Sequence, residues 1–477
     1  MACLLCDAGV QNQPETRHAI FGRHSDVILK RVLYITYYFP PSGGSGVQRG
    51  LKMVKYLPDA GWKPVVLTLK PEDASYPDLD PAMLEDVPSG IRVERTSSWD
   101  PYAAYARLMG KDKKDAVGVG FLGADHASVK EKFARWVRAN LFLPDARVGW
   151  VRHAVRAGKV LSESPGFDAI VSTGPPHSAH LIGQKLARLT GKPWIADLRD
   201  AWPDPAYQHM LPASSWALKR DTRLRQRALG SSHARIAVTK DLAFHMEGAL
   251  KAPFEVIRNG FDPEDIARVK EKPRSAWSSM EKAGSQVDDF LVVHTGNLSP
   301  ARDPEPLWTA LRQASKTNAW PRLRLVFVGN VDPGIHEKAL SILGHRVTHV
   351  PYVPHDEAIA WMLVASVLLL PINRVMGSAG IVTGKIYEYL ASGRPILALG
   401  EPGGEADNLL TEAGAGSLFD YEDAEAVEQA IGQAYAAWER GEAVSGASPE
   451  RLASYSRKSQ AAALASLLDR VVASDGS

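Results

Sequence analysis

Lys385 and Glu388 stand three residues apart in PINRVMGSAGIVTGKIYEYLASGRPILAL, residues 371–399, and their types and spacing suit the two ends of a nucleoside diphosphate. Residues 367–370 and 395–399 are short apolar runs that read as strands of a parallel sheet buried on both faces, with a helix over 384–392 between them. Thr383 is placed to cap that helix, and Gly384 lets a ligand approach its backbone. Lys385 would then stand at the positive end of the helix dipole, where a bound phosphate is a better partner than the helix itself. Glu388 lies one turn on, on the same face, and could accept both hydrogen bonds of a ribose diol. The alternative is a solvated i,i+3 Lys–Glu pair, and the rest of the chain must decide between them.

Other loops offer further chemistry. The first strand-like run leads into PPSGGSGVQRG, where Gly43, Gly44 and Gly46 would admit a phosphate or a sugar to the backbone, with a helix from about 47. A G-x-G-x-x-G fingerprint would need glycine where Arg49 stands, and two prolines intervene. A nicotinamide site is therefore disfavoured, although Glu72 lies near where a ribose-binding acid would be. A tight turn is the plainer reading of these glycines.

In STGPPHSAH, His177 follows two prolines and so sits on a rigid loop. In WIADLRDAW, Asp197, Arg199 and Asp200 gather at a strand end, where charges must pair with each other or with a ligand. His177, Arg199 and Asp200 are thus the catalytic candidates, and a satisfied loop histidine and a buried salt bridge are the structural alternatives. In HTGNLSPARDP, Gly296 permits close approach of the backbone and Arg302 suits a diphosphate, against the plain reading of a surface arginine. Asp78 and Asp80 spell a D-x-D pattern, but in a proline-flanked polar stretch. No other run of His, Cys, Asp and Glu has metal-ligand spacing, so a reaction without metal or cofactor is expected.

Such loops need elements to position them. The chain has 477 residues, too many for one core, and two domains of about 200 residues are expected. Its 45% apolar and 23% charged content is that of a globular protein, and a net charge of +2 argues against a nucleic-acid binder. No apolar run reaches the roughly 18 residues of a membrane span. Cys3 and Cys6 form an isolated C-x-x-C with no zinc or redox context, which fits a reducing cytoplasm. Residues 1–29 lack a signal-peptide pattern and read as a disordered extension, or as sequence ahead of a later start.

Strand-like and helix-like runs alternate along almost the whole chain, the pattern of a doubly wound α/β protein. Strands are expected at 32–39, 65–69, 169–173, 194–198, 236–239 and 254–257, then at 291–295, 325–328, 347–350, 367–370 and 396–399. The polar stretch 262–289 reads as a linker between an N-terminal domain, 30–261, and a C-terminal domain, 290–455. In 456–477, Leu464, Leu467, Leu468, Val471 and Val472 form one helical stripe that must dock on something.

In order along the chain, YYFPPSGGSGVQR, LFLPDARVGW, GPPHSAHLIG, WIADLRDAW, VIRNGFD, HTGNLSPARDP and GKIYEYLASGRPILAL resemble the retaining glycosyltransferases of family 4, in particular the bacterial branch that builds surface polysaccharides. The resemblance covers about residues 30–470 and implies the GT-B fold, two Rossmann-like domains facing across a cleft. It further implies a nucleotide-sugar donor bound by the C-terminal domain, a glycan or polyprenyl-linked acceptor bound by the N-terminal domain, and transfer with retention. Glu388 matches the second glutamate of the family's E-x7-E motif, while Gly380 stands where the first should be. The phosphate-binding G-R-L-x-x-x-K becomes Gly296, Asn297 and Leu298 with Arg302, and Arg199 stands beside Asp200 where many relatives carry a histidine.

Departure of a nucleoside diphosphate from a sugar leaves an oxocarbenium-like centre and a growing negative charge, which Arg302, Lys385 and the N-terminus of the 384–392 helix could stabilise. With no carboxylate placed as a nucleophile, a phosphate oxygen is the expected base. A non-catalytic nucleotide- or glycan-binding GT-B subunit and a sugar-nucleotide epimerase are the competing readings. Residues 129–141, VKEKFARWVRANL, combine Val129, Phe133, Trp136 and Val137 on one face with Lys130, Lys132, Arg135 and Arg138 around it. They could lie on an anionic membrane at the inner face of the plasma membrane, or pack on the N-domain core.

Overall fold

The computed structural model describes residues 29–76, 79–99, 129–164, 166–203, 212–274, 277–375, 377–442 and 446–475. Continuous apolar runs separated by amphipathic helices can bury both faces of a strand only in a parallel sheet covered on both sides, and two such sheets form. The first has the order β3-β2-β1-β4-β5-β6-β7. It is built from Lys30–Ile35 (β1), Trp62–Leu69 (β2), Arg92–Thr96 (β3), Ala169–Gly174 (β4), Trp194–Leu198 (β5), Ala234–Ala237 (β6) and Glu255–Val256 (β7). The second has the order β10-β9-β8-β11-β12-β13. Its strands are Phe290–Thr295 (β8), Leu323–Val328 (β9), Val347–Val350 (β10), Val367–Pro371 (β11), Ile396–Leu399 (β12) and Gly416–Phe419 (β13). β4, β8 and β11 are buried along their whole length. This is the GT-B architecture of two Rossmann-like domains.

In each sheet the strand order reverses at one point, between β1 and β4 and between β8 and β11. Ligands of open α/β sheets bind outside the carboxyl ends of the strands at such a point. The loops carrying the candidate residues follow β1, β4, β5, β8 and β11, so they lie at the carboxyl ends of the strands at and beside both reversal points.

The stretch 262–289, expected as a linker between the domains, is folded. It forms helices Pro263–Lys270 and Ser278–Ala283, whose Ile266, Val269, Trp277 and Met280 join the core of the second domain. The last helix, Arg457–Asp475, returns to the first domain and buries Leu464, Leu467, Leu468 and Val471 against Val47, Leu51 and Val54. The chain thus crosses between the domains twice, and the crossings are paired: Phe261 N donates to Tyr455 O at 3.1 Å and Arg457 N to Phe261 O at 2.7 Å.

Two buried ionic groups lock this hinge. Arg49 forms an ion pair with Asp197 at 2.7 Å and also donates to the carbonyls of Ile257 and Arg258. Lys52 Nζ lies 2.7 Å from Asp86, 2.7 Å from Asp262 and 2.8 Å from Asp265. The oxygens of these three acids fall within 4.8 Å of one another, close enough for a cation, and here the lysine ammonium fills that role. No helix among the described residues is long and apolar enough to cross a membrane.

Candidate active site

In the second domain the structure brings Gly296, Asn297, Arg302, Lys385 and Glu388 together. Gly296 follows β8 with a φ of 90°, and its amide donates to Val328 O at 2.7 Å. A Cβ there would lie 3.0 Å from Lys385 Nζ, so the glycine leaves room for the ammonium group. Lys385 Nζ donates to Thr295 O at 2.5 Å and lies 3.5 Å from His294 Nε2, while His294 Nδ1 lies 3.0 Å from Leu369 O. Burial, then the neighbouring Arg302, lower the Lys385 pKa to about 7, against a raising contribution from Glu388. Arg302 donates to the Asn297 carbonyl at 3.2 Å and to the Asn373 side chain. Its pKa too is lowered by burial. Among the described residues no carboxylate bonds to either cation. Two desolvated cations thus stand beside an exposed turn at Gly296 and Asn297, an arrangement chemically suited to an anion with more than one charge.

Glu388 lies one turn along the helix Lys385–Ser392. Its Oε1 is 3.5 Å from His355 Nε2, and the same nitrogen is 3.9 Å from Asp265 Oδ2 in the hinge network. Thr383 does not cap the helix. Gly384 occupies the cap position without a side-chain bond, because the turn is closed by Ile386 N donating to Thr383 O. The Thr383 hydroxyl is turned inward, buried, and has no hydrogen-bond partner.

Gly380 has a structural reason. A Cβ at that position would overlap the carboxylate of Asp241, which reaches across the cleft from helix Lys240–Leu250 of the first domain. The Asp241 amide in turn donates to Glu405 Oε1 at 2.7 Å, a second contact that spans the cleft. The second domain thus lacks a carboxylate side chain at 380, and the first domain presents one at the same place.

The loops of the first domain form a separate group. His177 is buried, its Nε2 lies 3.2 Å from Ala201 O, and its ring stacks on Trp202 with centroids 5.0 Å apart. Burial lowers its pKa to about 4, so it is neutral at physiological pH. His177 Nδ1 and His180 Nε2 are both buried without partners and both face Gly174. A satisfied loop histidine is therefore not what the structure contains at 177. His180, which sequence reading missed, packs its other nitrogen 2.9 Å from Ser172 Oγ.

Arg199 does not pair with its neighbours in sequence. Asp197 is taken by Arg49, and Arg199 donates to the carbonyls of Gly174 at 3.3 Å, Gly46 at 2.5 Å and Pro175. It ties together the loops after β1, β4 and β5. Asp200 follows it and is exposed. Gly44, with a φ of 82°, precedes the helix Ser45–Tyr56, which starts two residues before the expected position. Gly46 is packed between Tyr38 and Arg199, and Gly43 is buried, so of the three glycines only Gly44 is open to a ligand. Asp80 accepts from Ala82 N as a cap, while Asp78 lies outside the described residues.

Residues 289–437, which hold the second sheet and the helix Lys385–Ser392, match the family model for glycosyl transferases group 1. That match and the two-domain fold make the protein a glycosyltransferase of GT-B architecture. Solved structures with this fold include HepE from Anabaena in complex with UDP and glucose, at 16% identity and a TM-score of 0.51, covering 93% of this chain and 97% of that one. A glycosyltransferase from Rickettsia africae superposes at 10% identity and a TM-score of 0.52, covering 94% of both chains. The N-terminal domain of trehalose-6-phosphate phosphatase from Candida albicans reaches a TM-score of 0.61 at 13% identity, covering 92% of this chain and 97% of that one. A comparison of the sequence with curated proteins finds no match.

Proposed function

We propose that the protein transfers a sugar from a nucleoside-diphosphate sugar to a glycan or polyprenyl-linked acceptor with retention of anomeric configuration, without a metal or cofactor, as a step in bacterial cell-surface polysaccharide synthesis at the inner face of the plasma membrane. The observation that carries the donor assignment is the pair of desolvated cations, Lys385 and Arg302, beside an open glycine turn, with no carboxylate among the described residues bound to either. The diphosphate takes these two cations, and Glu388 accepts from the ribose diol. As the glycosidic bond to the diphosphate breaks, the electron pair leaves with the phosphate oxygen, where both cations stabilise it. The acceptor hydroxyl attacks from the same face, and its proton passes to that phosphate oxygen. The family 4 resemblance supports retention, and the Anabaena neighbour's complex with UDP and glucose makes UDP the first nucleotide to test.

A thermal-shift panel of UDP, GDP, ADP and their sugars tests the reading. One nucleoside diphosphate should raise the melting temperature, and its sugar should hydrolyse slowly without acceptor to release the retained anomer first, as read by proton NMR. No stabilisation by any diphosphate would overturn the donor site, and release of the inverted anomer would overturn retention.

A further inference from the structure

The helices Val129–Leu141 and Ser215–Gly230 meet at the outer surface of the first domain, where Asn140 joins them. Its Nδ2 donates to Trp136 O at 2.8 Å and to Pro212 O at 3.1 Å, and its Oδ1 accepts from Ser214 N at 2.8 Å. Within about one turn of this joint stand four exposed apolar side chains: Trp136 at 46% exposure, Leu141 at 59%, Trp216 at 56% and Leu218 at 38%. The residues between them are cationic. Arg220 lies 5.2 Å from the centre of the Trp216 ring, and Lys219 and Arg223 are exposed. The one acid of Ser215–Gly230, Asp221, is buried and accepts from Trp202 Nε1 at 3.0 Å. This surface therefore shows tryptophan, leucine and positive charge on a protein whose net charge is only +2. The side chains of 129–134, including Val129, Lys130, Lys132 and Phe133, lie outside the described residues and form no part of the argument.

We propose that this joint is a docking face for the headgroup region of an anionic lipid bilayer. Tryptophan is the side chain best matched to that region, because its ring is apolar and its N–H can stay in water. The surrounding cations complement anionic headgroups, and exposed leucines flanking them can enter the acyl boundary. The proposal stands apart from the transfer chemistry, since binding is read without donor or acceptor.

Cosedimentation of the full chain with vesicles of equal parts phosphatidylglycerol and phosphatidylcholine tests it. At low ionic strength the protein should pellet with these vesicles, stay in solution with pure phosphatidylcholine, and be released by salt. A Lys219→Ser, Arg220→Ser, Arg223→Ser variant should partition roughly a hundredfold less. Brominated lipid should quench tryptophan emission in the wild type, and a Trp136→Phe, Trp216→Phe variant should lose that quenching. The melting temperature and the diphosphate-induced shift of both variants should equal those of the wild type, which separates a lost surface from a lost fold or donor site. Wild type remaining in the supernatant would overturn the proposal. So would equal binding of the triple variant, or retention on a nucleic-acid oligonucleotide as strong as on vesicles with no quenching by brominated lipid.

Discussion

Lys385 makes the sharpest residue-scale prediction, because its charge state changes near neutral pH. With its pKa lowered to about 7 by burial and Arg302, the unliganded lysine loses its proton as the pH rises above that value, and only the ammonium form attracts a diphosphate. The second ionisation of a terminal phosphate, near pH 6, is complete over the same range. Affinity for the stabilising nucleoside diphosphate should therefore fall between about pH 7 and 9, by up to roughly tenfold per unit. Isothermal titration across that range measures it, and Lys385→Met should abolish the slope. At pH 7, Lys385→Ala and Glu388→Ala should each weaken binding by about 10- to 100-fold. The loss for Lys385 should shrink when the bare nucleoside is used, while that for Glu388 should not.

Asp241 offers a second test at this scale. Asp241→Ala should lower donor turnover about tenfold while leaving diphosphate affinity unchanged, and Gly380→Glu alone should do at least as much harm, because its side chain meets the aspartate. Combining the two should recover activity, as steady-state kinetics of the three variants would reveal; equal damage in the double variant would mean that the carboxylate has no role. These residues also mark the limit of the sequence. Gly296, Arg302, Lys385 and Glu388 were legible because each sits in a local motif with a strand before it. Asp241, His355 and the Arg49–Asp197 pair were not, because each acts on a residue more than a hundred positions away or across the cleft, save His355 at 33 positions from Glu388.

At the scale of elements, the buried strands were legible from their apolar runs, and the two that escaped are sheet edges. β3 reads RVERT and β13 reads GSLF, too polar or too short to stand out, and both are partly exposed. The helices Pro263–Lys270 and Ser278–Ala283 were hidden in a polar stretch because each is short and turns only a narrow apolar stripe inward. The same short helix carries Asp262 and Asp265 to Lys52, a contact no local pattern announces. Lys52→Met would leave three carboxylates facing one another and should cost about 3–5 kcal/mol, read by urea unfolding at pH 7. The paired carboxylates of Asp86 and Asp262 have lowered pKa values, owing chiefly to Lys52 acting against their burial. Such groups contribute stability above the unfolded carboxylate value of about 3.9, and that contribution is lost as the pH falls through their folded values. The deficit of the variant should therefore be largest near neutral pH and shrink below about pH 4. Because the ammonium compensates this acidic cluster, incubation with EDTA should leave transfer activity intact, and loss restored by manganese or magnesium would argue for metal chemistry.

The whole molecule depends on how its two crossings hold the domains. The diphosphate contacts proposed above all belong to the second domain, whereas Asp241 and the His177 loop belong to the first, so binding and transfer place different demands on the hinge. Gly260 lies where the outgoing chain passes the returning one, and a Cβ there would overlap the carbonyl of Tyr455. Gly260→Ala must therefore separate Phe261 from Tyr455, disturb the paired bonds on either side of it, and shift the anchor that Arg49 provides at residues 257–259. The return helix keeps its own hold on the first domain through Leu464, Leu467 and Leu468, so the fold should survive with a melting temperature lowered by several degrees, consistent with a steric cost of about 1–3 kcal/mol. Diphosphate affinity should stay within about twofold of the wild type, because its site moves as one body. Transfer should fall at least tenfold, since the sugar must meet groups from both domains in one geometry. Calorimetry with the diphosphate and steady-state kinetics on the same preparation separate the two quantities, and parallel losses in both would show that the hinge does not govern the meeting of the domains.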